Sequence, residues 1–416
     1  MKKNRVCRIC GKDKFDRVID FGECPLVNSL IEEKDLDKKE PVYPLEVIRC
    51  KKCSLVQTKQ PVDTHEIYTA QDYLYYTGDM PQNSQYMKAF DSLVEEVRKY
   101  SEYGDLIVEI GSNDGTILKK FGQGEQGIDR GLLGVDPSTN VVIRALAKGV
   151  PTLSAPFNKQ NAQNIKKEFG EAKIVGGANC LAHIDNIHEV LDGVRELLTP
   201  NGVFWVECNY WGGMVKNNHY ALIYHDHYSY FTLKNWIELA EMHELFVFDA
   251  CITEAQGDGL SLRLFASQIP REKTERMEKL LQEEIDTDLN SKKTCDTYNT
   301  EVLGKAQDLK KLVDDLKKEG KTVAGYGAAA KGFSILHLAK IGAESIDYFV
   351  DDSPAKQGKY CPVTHIPIIS RSEAESRLPD YFFITAPNYA TIIIEKEKDF
   401  MDKGGKFIME NGEIVG

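Results

Sequence analysis

The chain lacks any long hydrophobic run. None of its apolar stretches approaches the ~20 residues that a membrane-spanning helix requires, and its first ten residues contain no apolar signal core. It also lacks a basic block, since 52 Lys and Arg stand against 64 Asp and Glu, a net charge of −12. Binding to a nucleic-acid backbone depends on basic patches. We therefore expect a cytoplasmic enzyme with neither a membrane nor a nucleic acid as partner.

Without a secretion signal, the ten cysteines indicate reduced thiols or metal ligands and not a disulfide scaffold. Four of them form two matched pairs, Cys7-Arg8-Ile9-Cys10 and Cys50-Lys51-Lys52-Cys53. Two such turns can supply the four corners of a tetrahedral zinc site, which leaves no open position, so the predicted Zn²⁺ is structural. The alternatives are four ordinary thiols or a redox pair. Cys24 lies in a separate loop and is not expected to be a ligand.

From about residue 105, strands and helices alternate, which is typical of a parallel sheet covered by helices. The apolar run Leu106–Ile110 predicts a strand that ends in a glycine-rich loop, Glu109-Ile110-Gly111-Ser112-Asn113-Asp114-Gly115. A helix to about residue 121, strands over 132–136, 173–176 and 202–207, and a helix over 186–198 are predicted to follow.

The glycine-rich loop lies where sheets of this kind bind nucleotides. Asn113 replaces the second glycine of the dinucleotide pattern, and Asp136 follows Gly115 by 21 residues, the spacing of a carboxylate that binds ribose. A loop without the close-approach glycine suits S-adenosylmethionine better than NAD, because that cofactor has no pyrophosphate. A plain turn is the alternative.

A second candidate site is the segment from Tyr224 to Phe231, which contains two His, one Asp and three Tyr. We expect His225 and His227 on one side of an extended segment, with Asp226 opposite. Histidine beside a carboxylate suits general acid–base chemistry. A second metal site or a hydrogen-bonded structural cluster are the alternatives. His183, after the strand over 173–176, is expected on the same rim as a binding or auxiliary residue.

Residues 271–319 are highly charged and carry heptad-like apolar spacing, which predicts a helical connector. A second α/β unit then begins with Gly325-Tyr326-Gly327-Ala328-Ala329-Ala330, and Asp351 follows Gly327 by 24 residues. This loop alone fits a dinucleotide-binding pattern. An NAD-dependent oxidoreductase of a nucleotide sugar that uses Gly325–Ala330 is therefore the alternative function, and a zinc-module interaction protein is a third.

Together these motifs resemble the S-adenosylmethionine-dependent sugar C-methyltransferases of deoxysugar biosynthesis, which branch nucleotide-linked keto-sugars. The resemblance covers nearly the whole chain. Four segments carry it, in the family's order: the paired cysteines with Pro25-Leu26-Val27-Asn28, the loop Glu109–Gly115, the segment Tyr224-His225-Asp226-His227, and Gly325-Tyr326-Gly327-Ala328-Ala329-Ala330-Lys331.

The resemblance implies an α/β fold in three parts. A small zinc-binding module covers 1–65, a Rossmann-like methyltransferase domain covers 66–255, and a C-terminal domain covers 256–416. Within the last, 271–319 form the helical connector and 320–416 a second Rossmann-like domain. A monomer is compatible with this organisation.

The resemblance also implies the roles of individual residues. His227 is the expected general base, assisted by Tyr224, Asp226 and His183, with Asp226 in place of the family's more usual Glu. The expected cofactor-binding residues are Glu109, Gly111, Asn113, Asp114, Gly115, Asp136 and Asn179. The expected substrate-binding residues are Tyr73, Tyr75, Tyr76, His225 and Lys331.

The reaction that the resemblance implies is deprotonation of a nucleotide-linked 4-keto deoxysugar next to its ketone, followed by methylation of the enolate carbon. One loop departs from the family. Gln256-Gly257-Asp258-Gly259 stands where the family has His-Gly-Gly before Ser-Leu-Arg. Because that loop is expected to approach the sugar, the departure indicates a different sugar or a different stereochemistry.

Overall fold

The structure is a computed structural model that describes residues 6–63, 67, 73, 75–122 and 131–416. Two compact units make up the chain. The first comprises Met1–Asp16, Ile48–Asn217 and Tyr228–Thr294, and the second comprises Arg17–Val47, Asn218–His227 and Cys295–Gly416. The module boundary expected between residues 65 and 66 lies outside the described residues, and the three-part division stays a prediction.

The strands of the described residues are β1 (Phe15–Cys24), β2 (Tyr43–Cys50), β3 (Val56–Thr58), β4 (Ile107–Ile110), β5 (Leu132–Asp136), β6 (Thr152–Ser154), β7 (Ala172–Ala178), β8 (Leu198–Asn209), β9 (Ser229–Tyr230), β10 (Phe246–Thr253), β11 (Ser261–Ser267), β12 (Val323–Tyr326), β13 (Phe349–Val350), β14 (Ile368–Ile369), β15 (Tyr381–Ile384), β16 (Lys406–Ile408) and β17 (Ile414–Val415).

The α-helices of the same residues are α1 (Gln85–Arg98), α2 (Thr116–Phe121), α3 (Thr139–Ala147), α4 (Lys159–Phe169), α5 (Ile187–Leu197), α6 (Trp211–Lys216), α7 (Leu233–Glu241), α8 (Glu275–Asp286), α9 (Lys292–Lys318), α10 (Ala330–Ala339), α11 (Arg371–Ala374), α12 (Ala390–Lys396) and α13 (Lys398–Asp402). No helix in the described part of the chain is long and apolar enough to span a membrane.

The first unit is built on a seven-stranded sheet with the order β10-β11-β8-β7-β4-β5-β6. The strands from β8 to β6 are parallel, and β11 pairs antiparallel with both β8 and β10. All four residues of β4 are buried, as expected of a strand covered on both faces. The loops after β4 and β7 leave the sheet at the point where the strand order reverses, which is where such sheets bind ligands.

Helix α1 shows how the sequence builds the layer beside this sheet. The Ser84 hydroxyl caps it by accepting the amide N–H of Met87 at 3.3 Å. Phe90, Leu93 and Val97 recur at helical spacing and are buried in the core of the unit. The helical spacing of these apolar residues therefore accounts for the buried face of the helix.

The second unit is built on a six-stranded sheet with the order β14-β13-β12-β15-β16-β17. All neighbours are parallel except β17, which returns antiparallel to β16. Helix α10 follows β12, so the loop Gly325–Ala330 lies between a strand and a helix, as the sequence predicted. The strand order places this loop at the switch point of the sheet. The two α/β sheets are confirmed, although the strand expected over 346–352 is only two residues long.

Candidate functional site

The four paired cysteines come together in the first unit. Their sulfur atoms all lie within 4.8 Å of one another. Cys7 Sγ lies 3.4 Å from Cys53 Sγ, and Cys10 Sγ lies 3.5 Å from Cys50 Sγ. Tetrahedral Zn–S bonds of about 2.3 Å place ligand sulfurs about 3.8 Å apart. The four thiols therefore fit one zinc ion, which supports the ligand set that the sequence predicts.

The backbone of the glycine-rich loop after β4 is shaped for a tight turn. Gly111 and Gly115 have φ of +64° and +74°, and Asn113 adopts the left-handed conformation with φ of +51°. Asparagine tolerates this conformation better than most residues, which explains how it replaces a glycine here. A Cβ on Gly111 would lie 2.5 Å from the Cβ of Cys180, so only glycine fits at that position.

Asp136 closes this loop onto the end of β5. Its carboxylate accepts the amide N–H of Asn113 at 3.0 Å and that of Ser138 at 2.9 Å. The Ser138 side chain also hydrogen-bonds to this carboxylate. A carboxylate can accept about four hydrogen bonds, so capacity for a ribose hydroxyl remains. Burial raises the pKa of Asp136.

Two polar side chains of the same region each bury an oxygen atom. Glu109 Oε2 and Ser112 Oγ have no hydrogen-bond partner among the described residues. Burial raises the pKa of Glu109 well above its ordinary value. Buried polar atoms of native proteins are nearly always hydrogen-bonded, and the amino group and hydroxyls of S-adenosylmethionine are donors of the required kind. The loop therefore fits that cofactor.

Asn113 and Asp114 fasten a neighbouring segment to the loop. The Asn113 amide accepts the N–H of Thr77 and donates to the carbonyl of Tyr75, both at 3.0 Å. Asp114 accepts the N–H of Gly78 at 3.0 Å and the ammonium of Lys148 at 2.6 Å. These side chains hold the polypeptide against the loop, a use that the sequence did not predict.

The three tyrosines predicted to bind substrate lie on that fastened segment. Tyr75 is 43% exposed. The Tyr76 hydroxyl accepts the side-chain amide of Asn140 at 2.7 Å, and the backbone carbonyl of Tyr73 accepts the same amide at 2.9 Å. The guanidinium of Arg144 lies 3.6 Å from the Tyr76 ring centroid. The segment that carries these rings is thus tied to helix α3.

The loop after β7 carries Asn179 and His183. Asn179 has φ of +55°, and its amide oxygen accepts the side-chain N–H of Gln256 at 3.1 Å. Gln256 belongs to the departing loop 256–259, so this loop does approach a predicted cofactor-binding residue. His183 ends a short 3₁₀ helix, Leu181–His183, and burial lowers its pKa to about 4. Its imidazole is neutral at physiological pH.

In the second unit, residues 224–227 form a turn and not the extended segment that we expected. The amide N–H of His227 donates to the Tyr224 carbonyl at 3.1 Å, which closes the turn. His225 and His227 therefore have separate surroundings, and the expectation that they share one side of a strand is wrong. That expectation came from the alternation of side chains along a strand. The alternation does not apply where the backbone reverses direction.

The tautomer of His227 follows from its hydrogen bond. Its Nδ1 lies 2.5 Å from the Leu222 carbonyl oxygen, which can only accept. The proton of the neutral ring is therefore on Nδ1, and the lone pair is on Nε2. Tyr224 packs on the ring, with centroids 4.1 Å apart. His227 is thus held in orientation by its own turn.

The other two members of the turn are buried. Burial raises the pKa of Asp226 to about 7, so this carboxyl can exchange a proton near neutrality. His225 donates Nε2–H to the Tyr43 carbonyl at 3.2 Å, and its Nδ1 has no partner among the described residues. Burial lowers the pKa of His225 to about 4.

In the second unit, polar groups at the loop Gly325–Ala330 are hydrogen-bonded to other residues of the chain. Asp351 accepts the N–H of Ala328 at 2.8 Å and the ammonium of Lys356 at 3.2 Å. The same ammonium donates to the Ala328 carbonyl at 2.7 Å. The carboxylate that would bind a ribose in a dinucleotide site is therefore neutralised by a lysine.

Lys331 lies in the first turn of helix α10, in a partly buried cluster. Its ammonium donates to Asn388 Oδ1 at 2.5 Å, and burial lowers its pKa to about 7. Burial alone would raise the pKa of the nearby Glu410, but His219, Lys305 and Lys331 lower it to about 2. The cluster thus combines two lysines and an amide with the ionised carboxylate of Glu410.

Three family models match the chain in succession. Residues 7–68 match a zinc binding domain, residues 83–246 a methyltransferase domain, and residues 256–410 a C-methyltransferase C-terminal domain.

Individual relatives cover different shares of the chain. The C-methyltransferase NovU of Streptomyces niveus is 35% identical over 404 residues, which are 97% of this chain and 94% of that protein. The magnesium protoporphyrin IX methyltransferase ChlM of Synechocystis PCC 6803, solved with bound SAH, is 15% identical, covers 44% of this chain and 84% of its own, and has a TM-score of 0.35. The CcbJ methyltransferase of Streptomyces caelestis is 14% identical, covers 43% of this chain and 88% of its own, and has a TM-score of 0.33.

Proposed function

This chain belongs to the family of S-adenosylmethionine-dependent C-methyltransferases, and from that membership we propose that it methylates a carbon of a nucleotide-linked 4-keto deoxysugar. S-adenosylmethionine is its cofactor, and Zn²⁺ is the metal of its four-cysteine site. The observation that carries the proposal is the oriented imidazole of His227, because C-methylation next to a ketone needs a base.

The base in this proposal is Nε2 of His227. A carbon beside a ketone loses its proton only if the enolate is stabilised as it forms. The Leu222 carbonyl accepts Nδ1–H, so the lone pair of the neutral ring is on Nε2. The same carbonyl stabilises the imidazolium that results. When bound, S-adenosylmethionine supplies an electrophilic methyl group for the enolate carbon.

Three further side chains support this step. The Tyr224 ring fixes the plane of the base, and its hydroxyl is a donor for the enolate oxygen. His183 is neutral, so it can donate an N–H without competing for the substrate proton. The pKa of Asp226 is raised to about 7, so this carboxylate can accept the proton that His227 releases after each turnover. These roles are proposals that rest on the protonation states above.

The proposal also assigns the residues that bind the cofactor and the substrate. Glu109 and Asp136, with Gly111, Asn113, Asp114, Gly115 and Asn179, form the cofactor-binding set. Tyr73, Tyr75, Tyr76 and His225 contribute to substrate binding. Lys331 binds the nucleotide phosphates, because an anion would stabilise the charged form of an ammonium whose pKa burial lowers.

The NAD-dependent alternative is disfavoured by the second glycine-rich loop. Asp351 already accepts hydrogen bonds from Ala328 and Lys356. A ribose would have to displace that lysine from the carboxylate and from the Ala328 carbonyl. Binding of NAD to the protein would support the oxidoreductase instead.

The test uses His227→Asn, whose amide can replace the Nδ1–H donor to Leu222 but cannot act as a base. Wild-type protein with S-adenosylhomocysteine should exchange the sugar proton next to the ketone for solvent deuterium. His227→Asn should lose exchange and methyl transfer by ~100-fold or more, the scale of general-base removal, while it binds S-adenosylhomocysteine as wild type does. Tyr224→Phe, the control, should retain more exchange.

Two results would contradict the proposal. Near-normal exchange in His227→Asn would remove this residue from the mechanism. Absence of exchange and of methyl transfer by wild type on every nucleotide-linked 4-keto deoxysugar in a panel would remove the substrate class.

A further inference from the structure

We propose that Arg8, which lies inside the first cysteine pair, is a positioning residue for the reaction. Its guanidinium joins the zinc knuckle to the residue that follows His227 and to the turn that carries His183. The inference rests on the proposed function, because it takes the roles of these two histidines from there. It gives the zinc module a task in turnover beyond its own folding.

The position of Arg8 is fixed at its backbone. It lies between Cys7 and Cys10, and its amide N–H donates to Gln57 Oε1 at 3.2 Å. The next carbonyl of the knuckle, that of Ile9, accepts Nε2–H of His188 at 2.9 Å. Both residues between the two zinc ligands are thus held by neighbours, so the Arg8 side chain starts from a rigid base.

The Arg8 side chain is only 4% exposed and reaches Tyr228. Its Nη1 donates to the Tyr228 carbonyl at 3.0 Å and to the Thr58 carbonyl at 2.8 Å. The guanidinium carbon also lies 5.3 Å from the centroid of the Tyr228 ring. Tyr228 follows His227 directly in the chain, so Arg8 fixes the point at which the 224–227 turn ends.

The N–H, the carbonyl and the hydroxyl of Tyr228 are all hydrogen-bonded. Its carbonyl also accepts the Thr58 N–H at 3.0 Å, and its own N–H donates to the Ala182 carbonyl at 2.8 Å. Its hydroxyl donates to the Val62 carbonyl at 2.7 Å. Ala182 precedes His183, so one residue connects the backbone beside both proposed histidines.

Arg8 also contacts the segment that follows His183, through the carboxylate of Asp185. Nε donates to Asp185 Oδ1 at 2.7 Å, two residues after His183. A lysine is a single point of charge and could not reach Asp185 and the Tyr228 carbonyl with the same geometry, whereas the guanidinium fork can. The two anchors are therefore specific to arginine.

The burial of this charge supports a positioning role. The guanidinium is buried, whereas the carboxylate of its partner Asp185 is half exposed to water. Buried ion pairs stabilise proteins poorly, and well-packed apolar residues often replace them without loss. If this position contributed only to stability, an apolar side chain would be sufficient. What only arginine provides is the fixed distance between the knuckle, Tyr228 and the His183 turn.

The test compares Arg8→Met and Arg8→Lys with Arg49→Met. Arg49 is the matched control because it precedes Cys50, is also mostly buried and donates to Ser54 and Asn290, which are not near either histidine in the chain. Zinc content, affinity for S-adenosylhomocysteine, and kcat and KM for solvent exchange of the keto-sugar are measured for each protein.

We expect Arg8→Met to keep one zinc and to bind S-adenosylhomocysteine within about twofold of wild type. Its kcat should fall about 10- to 100-fold with little change in KM, since misplacement of a catalytic group by about 1 Å costs up to 10²-fold. Arg8→Lys should restore part of the rate, and Arg49→Met should keep kcat within about twofold.

Arg8→Met with a wild-type kcat, or with losses that match those of Arg49→Met, would overturn the proposal. Should Arg8→Met fail to bind zinc, Arg8→Lys decides, because a wild-type kcat in that variant removes the need for two anchors. Failure of the proposed function is a separate outcome, since wild-type protein itself would then show no exchange.

Discussion

Acidification should destabilise the protein through His225, whose imidazole is buried in its neutral form. The ring is 2% exposed, Nε2–H is used by the Tyr43 carbonyl, and Nδ1 has no acceptor for a second proton among the described residues. Charging this ring in the native protein is therefore unfavourable. The variant that tests the prediction is His225→Gln, which can keep a donor to Tyr43 but does not titrate.

The magnitude follows from the change in pKa. Burial lowers the pKa of His225 from 6.5 to about 4. Between these values the unfolded chain binds a proton and the native protein does not, so stability is lost as the pH falls through this window. At about 1.4 kcal/mol per unit, the loss attributable to His225 approaches about 3 kcal/mol by pH 4. Above pH 6.5 this contribution is complete.

Urea unfolding of wild type and His225→Gln at several pH values between 7 and 4.5 measures the effect. The difference between the two proteins at each pH isolates His225, since losses common to both, such as protonation of the zinc thiolates, cancel. The stability advantage of wild type should shrink by about 2–3 kcal/mol over this range. A difference that stays constant with pH would refute the account of a buried neutral imidazole.

Two further predictions concern the cofactor loop and the metal. Gly111→Ala should weaken S-adenosylhomocysteine binding at least 10-fold in calorimetry, because its Cβ would lie 2.5 Å from that of Cys180. Gly170→Ala also places a Cβ at a positive φ, +93°, but with nothing within 4 Å, and it should bind normally. Equal affinities of the two variants would contradict this. One zinc per chain should be released by thiol reagents from wild type and Cys24→Ser but be absent from Cys50→Ala, and a zinc content unchanged in Cys50→Ala would refute the four-cysteine site.

The parallel strands and the zinc ligands could be predicted because each depends on local spacing. Leu106–Ile110 is apolar except for Glu109, and each cysteine pair needs only a short turn to present two ligands. The antiparallel insertion of β11 between β8 and β10 could not be predicted, because it depends on pairing between residues far apart in the chain.

The candidate site was less accessible to sequence reasoning. Histidine and aspartate within 224–227 marked the segment, but the turn itself depends on a hydrogen bond between Tyr224 and His227 that residue types do not reveal. Arg8 was overlooked because nothing in the pattern Cys-x-x-Cys distinguishes a buried arginine from a solvated one. Its burial and its partners are tertiary facts. Lys51 and Lys52 are also charged and lie between two metal ligands, yet both are exposed, so residue type alone gives no signal.

The most direct test of the central claim follows the methyl group itself. Wild-type protein is incubated with S-adenosylmethionine labelled with ¹³C in the methyl group and with a panel of nucleotide-linked 4-keto deoxysugars, and the products are examined by NMR. The account predicts a labelled methyl group bonded to a sugar carbon next to the ketone, and none with His227→Asn. A label found on oxygen or nitrogen, or the absence of transfer to any of these sugars, would contradict it.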